Sequence, residues 1–300
     1  MAVSCAVSNQ LSEQNSLDPL KQKTLASAVS ISGIGLFTAE KATLSLNPAD
    51  TGTGICFRRT DLPKKPIVQA ILQNVVSTPR CTILGAGGVT VHTVEHILAA
   101  LKASGIDNAI LDLSGPEVPI MDGSCTDFME AIQSAGVVDQ EEKREIHHLE
   151  TPVYWSKGDI HLIALPSDDY RMSYTLHFPQ STMLHAQFFS CPITREVFEK
   201  EIAPCRTFCV YEEILPFIEN GLIKGGGLDN AVIIKNDRVI NPEGVRFSDE
   251  MVRHKILDLT GDLSLIPIHF AAHIIAIRSG HASNVAFAQD LYNHMKWERS

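Results

Sequence analysis

Residues 247–263 read FSDEMVRHKILDLTGDL. At about 100° per residue, a helix through this stretch gathers Val252, Ile256, Leu259 and Leu263 on one side. His254, Asp258 and Asp262 fall within about 80° of one another on the other. Ser248 is a candidate cap, and Asp249 and Glu250 stand near the positive helix end. The spacing predicts an amphipathic helix over 248–263 carrying a narrow polar stripe. A His and an Asp four residues apart can reach one divalent ion, because such neighbours lie only about 5–6 Å apart at Cβ. The pair alone equally fits a surface hydrogen bond.

The stretch has an echo. Val94-Glu-His96-Ile-Leu98-Ala-Ala-Leu101 and Val252-Arg-His254-Lys-Ile256-Leu-Asp-Leu259 share V-x-H-x-[LI]-x-x-L, as two diverged copies would, or simply as two amphipathic helices do. Apolar periodicity places the earlier helix over Thr93 to Ala103, with Gly105 just past its end. A further helix is expected over Ser124 to Ser134, ending at Gly136, and another near Val210 to Asn220. Between them lie short strand patterns, including KATLSLNP, NAILDL, HLIAL, RMSYTLHF, NAVIIK and HIIAI, several at hairpin spacing. Strands and helices mix in both halves, so the expected fold class is α+β, built as layered domains. DQEEKREIHH follows a finished helix and is the most charged segment, so the domain junction is expected near Val138 to Arg144. This divides the chain into a polar tail over 1–22, a first domain over 23–140 and a second over 145–300.

Composition narrows the function. With 44% hydrophobic and 20% charged residues among 300, the chain is of the globular kind, not disordered, collagen-like or coiled-coil. Lys and Arg number 25 against 35 Asp and Glu, a net charge of −10 that repels nucleic acid. Phosphate groups would have to be met by a few local cations in a cleft. Seven cysteines without regular spacing fit a reduced, cytoplasmic protein. The N-terminus lacks a basic region before its apolar residues, so no secretory signal is expected, and no run approaches a transmembrane length.

Two further motifs carry chemistry. HTVEH, residues 92–96, spells the H-x-x-E-H of inverted zinc peptidases, in which two histidines bind zinc and the glutamate activates water. That reading would employ His92, Glu95 and His96. In RSGHASN, His281 follows a strand pattern and can reach into a cleft, with Asp262 as a carboxylate partner for its imidazolium. His269 and His273 are also four apart, but on a strand pattern, where such residues are too distant to chelate easily.

TVEHILAAL, EVPIMDGS, Arg206-Thr207-Phe208, VRHKILDLTGDL and SGHA occur together and in order, and the combination closely resembles the UDP-3-O-acyl-N-acetylglucosamine deacetylase family, from about Lys23 to Tyr292. The resemblance implies two similar α+β sandwich domains packed face to face with the active site between them. It implies zinc-dependent release of acetate from an acylated sugar nucleotide, the committed step of lipid A biosynthesis. By the same resemblance His96, His254 and Asp258 are the zinc ligands, with iron as an alternative metal. Glu95 is the general base, His281 the protonated acid, Asp262 its orienting partner, and Thr207 the hydroxyl that polarises the carbonyl. Lys255, Phe208, Arg278 and the Gly221–Gly227 segment around Gly226 become substrate contacts. A monomer is expected, with no nucleic-acid partner and no transmembrane span. One position departs from the family: Gly33-Ile-Gly35-Leu36 is followed by Phe37 where many members carry histidine, and Phe37 can neither bind metal nor donate a proton.

Overall fold

A computed structural model describes residues 20–300. In the first half of the chain the strands are β1 (Lys21–Leu25), β2 (Val29–Ile34), β3 (Lys41–Pro48), β4 (Ile55–Arg59), β5 (Ile67–Gln69), β6 (Val75–Ser77), β7 (Ile83–Ala86), β8 (Val89–Val91), β9 (Ala109–Leu113) and β10 (Val137–Lys143). The helices α1 (Glu95–Ala103) and α2 (Thr126–Ala135) stand before and after β9. The second half runs β11 (Ile146–His148), β12 (Val153–Lys157), β13 (Ile160–Leu165), β14 (Tyr170–His177), β15 (Ala186–Pro192), the single turn α3 (Arg195–Val197), β16 (Phe208–Val210), α4 (Tyr211–Glu219), β17 (Val232–Lys235), β18 (Arg238–Val239), α5 (Glu250–Leu263), β19 (His269–Ile277) and α6 (His281–Glu298).

The two main sheets are copies of one another. The first is ordered β2-β3-β9-β4-β5 and the second β12-β13-β19-β14-β15. In each, the middle strand pairs antiparallel on one side and parallel on the other. α1 leads into the central strand β9 as α5 leads into β19. The repeat glimpsed in V-x-H-x-[LI]-x-x-L is therefore a repeat of the whole layered unit. Period-2 burial explains the inner faces: on β3, Ala42, Leu44 and Leu46 point inward while their neighbours are half-buried or exposed. α1 and α5 pack against each other between the sheets, and this buried seam sets the site.

Several expectations change in detail. The tail expected over 1–22 lies outside the described residues up to residue 19, and its last positions already enter β1. The charged segment read as a junction is largely the strand β10, an antiparallel partner of β1. Its acidic side chains are tolerated because the two-stranded ribbon leaves most of them exposed to water. Ser248 does not cap α5; Asp249 occupies the cap without a side-chain bond to the helix backbone, and its carboxylate accepts from Arg253 Nε at 2.7 Å instead. The polar stripe of that helix faces protein rather than solvent: His254 and Asp258 are buried and Asp262 is fully so.

The end of α6 is tied down by one carboxylate. Glu298, 1% exposed, accepts from His147 Nε2 at 2.7 Å, His294 Nε2 at 3.0 Å, and the Thr151 backbone N–H and hydroxyl, each at 3.0 Å. Burial alone would raise its pKa, but the His147 bond and the backbone N–H groups of Glu150 and Thr151 outweigh it and hold it at about 2. A depressed carboxylate adds stability that is fully present above its unfolded pKa of about 4.3 and disappears as the pH falls through about 2. Glu298→Gln is thus expected to lose about 2 kcal/mol at pH 7, the scale of hydrogen bonds to a charged group. Denaturant melts should show the two proteins converging as the pH approaches 2; an equal gap at pH 7 and pH 2.5 would sink this assignment.

Candidate active site

The α1–α5 seam opens into a cleft of about 890 Å³ whose lining comes from both halves of the chain. Glu95 and His96 open α1, and His254 and Asp258 lie one turn apart on α5. His254 Nε2 stands 3.3 Å from Asp258 Oδ1, and His96 Nε2 stands 3.8 Å from the same oxygen. The two imidazoles meet edge to face, ring centroids 5.1 Å apart. One ligand atom from each of the three residues lies within 4.8 Å of the others.

Protonation is legible from these contacts. His254 Nδ1 lies 3.0 Å from the Cys205 carbonyl, which can only accept, so Nδ1 carries a proton there and Nε2 is the nitrogen turned towards Asp258. Burial is the main reason His96 drops to about 3 and stays neutral. Burial works to raise Asp258, but the Lys255 ammonium, 2.6 Å from its Oδ2, and His254 hold the carboxyl well below the carboxylate range. Two neutral imidazoles and one ionised carboxylate are the forms that bind a dication. His96 Nδ1 is buried with no hydrogen-bond partner, so nothing in the protein competes for that ring. The residues present fit a metal of the His₂Asp type with a position left for water or substrate.

Beside these three residues sit a further buried carboxyl and imidazole, Glu95 and His281. Glu95 Oε2 accepts from the Thr82 backbone N–H at 3.0 Å, while Oε1 lies 3.7 Å from His281 Nε2. Burial is the main reason the Glu95 carboxyl rises to about 7; Asp262 and Asp258 add to it and His281 opposes. His281 Nδ1 bonds Asp262 Oδ2 at 2.9 Å. Burial opposes the charge on His281, yet Asp262 and then Glu95 outweigh it and raise the pKa to about 9. Asp262 lies beneath the cleft wall and also accepts from Asn284 Nδ2 at 2.8 Å and from the Thr82 hydroxyl at 2.6 Å. Thr82 and Asn284 were not singled out from the sequence: Thr82 belongs to no motif, and Asn284, although it ends RSGHASN, meets Asp262 only through the fold.

Other sequence candidates are distributed unevenly. Thr207, Phe208, Lys255 and Arg278 line the cleft. Lys255 is ion-paired with Asp258, while Arg278 lies near the mouth, 3.7 Å from Asp159. Arg80 and Lys157, unremarkable in sequence, add two cations to the lining. Gly226 is not part of it. The glycine run packs on the chain itself: Lys224 and Gly225 donate to the carbonyls of Phe37 and Leu36, and a Cβ on Gly225 would meet the Gly35 carbonyl at 2.2 Å. The close backbone approach seen there is between Gly225 and Gly35. Phe37 contributes its backbone N–H to Glu117, which also accepts from Thr38 and Thr93.

His92 stands apart. Thr93 adopts φ +58°, left-handed for a β-branched residue, and α1 begins only at Glu95. His92 and His96 are therefore not successive turns of one helix, and His92 Nε2 bonds Thr90 Oγ1 at 3.1 Å instead. Its backbone bridges Glu117. The three-ligand group among the described residues excludes it, which removes the inverted zinc-peptidase reading.

The family model for UDP-3-O-acyl N-acetylglycosamine deacetylase matches residues 22–293. The chain is 48% identical over 271 residues to the UDP-3-O-acyl-N-acetylglucosamine deacetylase of Chlamydia pneumoniae, covering 90% of this chain and 96% of that protein. It is 49% identical over 270 residues to the enzyme of that name from Chlamydia caviae, covering 90% and 96%. Against the Chlamydia trachomatis serovar D protein the identity is 44% over 278 residues, covering 93% and 97%. With nearly the whole chain matched and its duplicated α+β architecture independently visible, this protein belongs to the UDP-3-O-acyl N-acetylglycosamine deacetylase family.

Proposed function

We propose that this chain hydrolyses the N-acetyl group of UDP-3-O-acyl-N-acetylglucosamine to acetate and the free amine, the committed step of lipid A biosynthesis. The observation that carries the reading is the convergence of His96, His254 and Asp258 beside a buried Glu95–His281 pair held 3.7 Å apart. The metal is zinc, with ferrous iron compatible with the same donors. When bound, it supplies Lewis acidity and lowers the pKa of water from 15.7 towards about 7.

The chain's own groups then divide the work. Glu95, fixed at one oxygen by Thr82, takes a proton from the water attacking the acetyl carbonyl. The Thr207 hydroxyl assists in polarising that carbonyl, and the positive His281 stabilises the oxygen as it gains charge. As the C–N bond breaks, His281 Nε2–H gives its proton to the amine. Asp262 keeps the imidazole plane fixed throughout. Phe208, Leu36 and Phe178 supply apolar wall for an acyl chain, and Lys255, Arg278 and Lys157 supply positive charge for polar and diphosphate groups.

Each unit forms one domain, with the 23–140 and 145–300 division adjusted so that the first keeps all of β1 and β10 and the junction falls between Lys143 and Ile146, because every strand ladder keeps to one side of it. Both walls of the cleft come from one chain, so a monomer would carry a complete cleft. No helix among the described residues is long and apolar enough to cross a membrane, in keeping with a cytoplasmic enzyme.

The test is acetate release from the acylated sugar nucleotide with and without chelator, followed across pH. Activity requires Glu95 ionised and His281 protonated, so kcat/KM should fall on the acid side as Glu95 protonates and on the alkaline side above about 9. A dication at the three ligands favours the Glu95 carboxylate and moves the acid limb below about 7. His281→Gln should lower the rate and flatten the alkaline limb. Chelator-resistant turnover, or an alkaline limb unchanged in that variant, would count against the assignment.

A further inference from the structure

We infer that Thr82 is a positioning residue for this reaction, a single side chain and peptide unit that locks the general base and the general acid into one frame. Thr82 is fully buried and does not line the cleft, so it acts only through other residues. All three of its polar groups are engaged at the site. Its N–H donates to Glu95 Oε2 at 3.0 Å, its hydroxyl donates to Asp262 Oδ1 at 2.6 Å, and its carbonyl accepts from the Val94 N–H at 3.4 Å, at the entry to α1.

Two of these bonds, the His281–Asp262 bond and the 3.7 Å contact between His281 and Glu95 close a ring. From Glu95 the path runs through Thr82 to Asp262, through Asp262 Oδ2 to His281 Nδ1, and from His281 Nε2 back to Glu95 Oε1. Glu95 sits on α1 in the first unit and Asp262 and His281 come from the second, so Thr82 bridges the two units where the proton must travel. Without the hydroxyl, Asp262 Oδ1 would be a buried carboxylate oxygen lacking its donor, and of the donors that fix the carboxylate against His281 only Asn284, on Oδ2, would remain. The hydroxyl makes no contact with His96, His254 or Asp258, and the metal should stay in place.

The inference rests on the deacetylase reading, and its test separates the two. Thr82→Val and Thr82→Ser are compared with the wild-type holoenzyme for metal content, kcat and KM, and for the ¹⁵N shifts of His281. The valine variant is expected to keep its metal and KM while kcat falls about 10–100-fold, the range for loss of an outer-shell partner. The His281 ring signals should move with it, and serine should restore both. A wild type that releases no acetate overturns both readings. A wild type that is active beside an equally active valine variant overturns only this one, as does a valine variant that loses metal and substrate affinity together, or a serine variant as impaired as valine. If the valine variant does not fold, Thr82→Ala takes its place, and failure of both to fold assigns the hydroxyl to the core instead.

Discussion

His254→Ala is expected to strip the metal from the protein and with it acetate release, while His92→Ala leaves both intact. His254 presents Nε2 beside Asp258 Oδ1 because its other nitrogen is committed to the Cys205 carbonyl. Removing the ring deletes one of the three proposed ligands and leaves His96 and Asp258 facing a hole. The loss of affinity should exceed the roughly 10–100-fold seen when only an outer-shell partner is removed. His92 is half-buried, bonded to Thr90 and turned from the site by the left-handed Thr93, so its ring has no such task. Metal analysis after dialysis, together with acetate release, reads both variants. Metal lost from the His92 variant and retained by the His254 variant would overturn the ligand set.

Gly261→Ala should be nearly as damaging without touching a ligand. Gly261 faces the first turn of α1, where an added Cβ would sit 2.0 Å from the Glu95 carbonyl oxygen and 2.9 Å from its Cα. Both are backbone atoms, so no rotamer change relieves the contact. The two helices would have to separate, at the level of the residue that carries the general base. Overpacking of this kind costs about 1–3 kcal/mol, more than the roughly 1 kcal/mol that alanine returns in helix propensity. Displacement of Glu95 by as little as about 1 Å can lower turnover about 100-fold. A thermal melt and a rate measurement together check this; an alanine variant with wild-type melting temperature and kcat would show that the close crossing is dispensable.

Particular residues show how far the sequence could be read. Helical periodicity alone put His254, Asp258 and Asp262 on one stripe, and motif order alone joined them to Glu95, His96 and His281, because side chains on one helix are ordered by a local repeat. The same logic failed at His92, whose spacing to His96 looks helical in letters but is interrupted by the φ of Thr93. It failed too at Gly226, where a flexible-looking glycine run packs against the chain's own loop. Thr82 left no trace, since a lone threonine before a strand has no pattern to report its partner 180 residues away.

The sequence by itself determined the α+β class, the family, the helix that carries the polar stripe and the residue types capable of binding a dication. Helix periodicity and motif order are properties of neighbours along the chain, and local sterics and hydrophobic patterning write them directly. Only the tertiary structure decided that the stripe is buried, that equivalent histidines of two repeated units face each other across the α1–α5 seam, and that Glu95 and His281 share one frame through Thr82. Those depend on how closely two helices from opposite halves approach, a distance set by packing at positions such as Gly261 and by buried hydrogen bonds that no local repeat encodes.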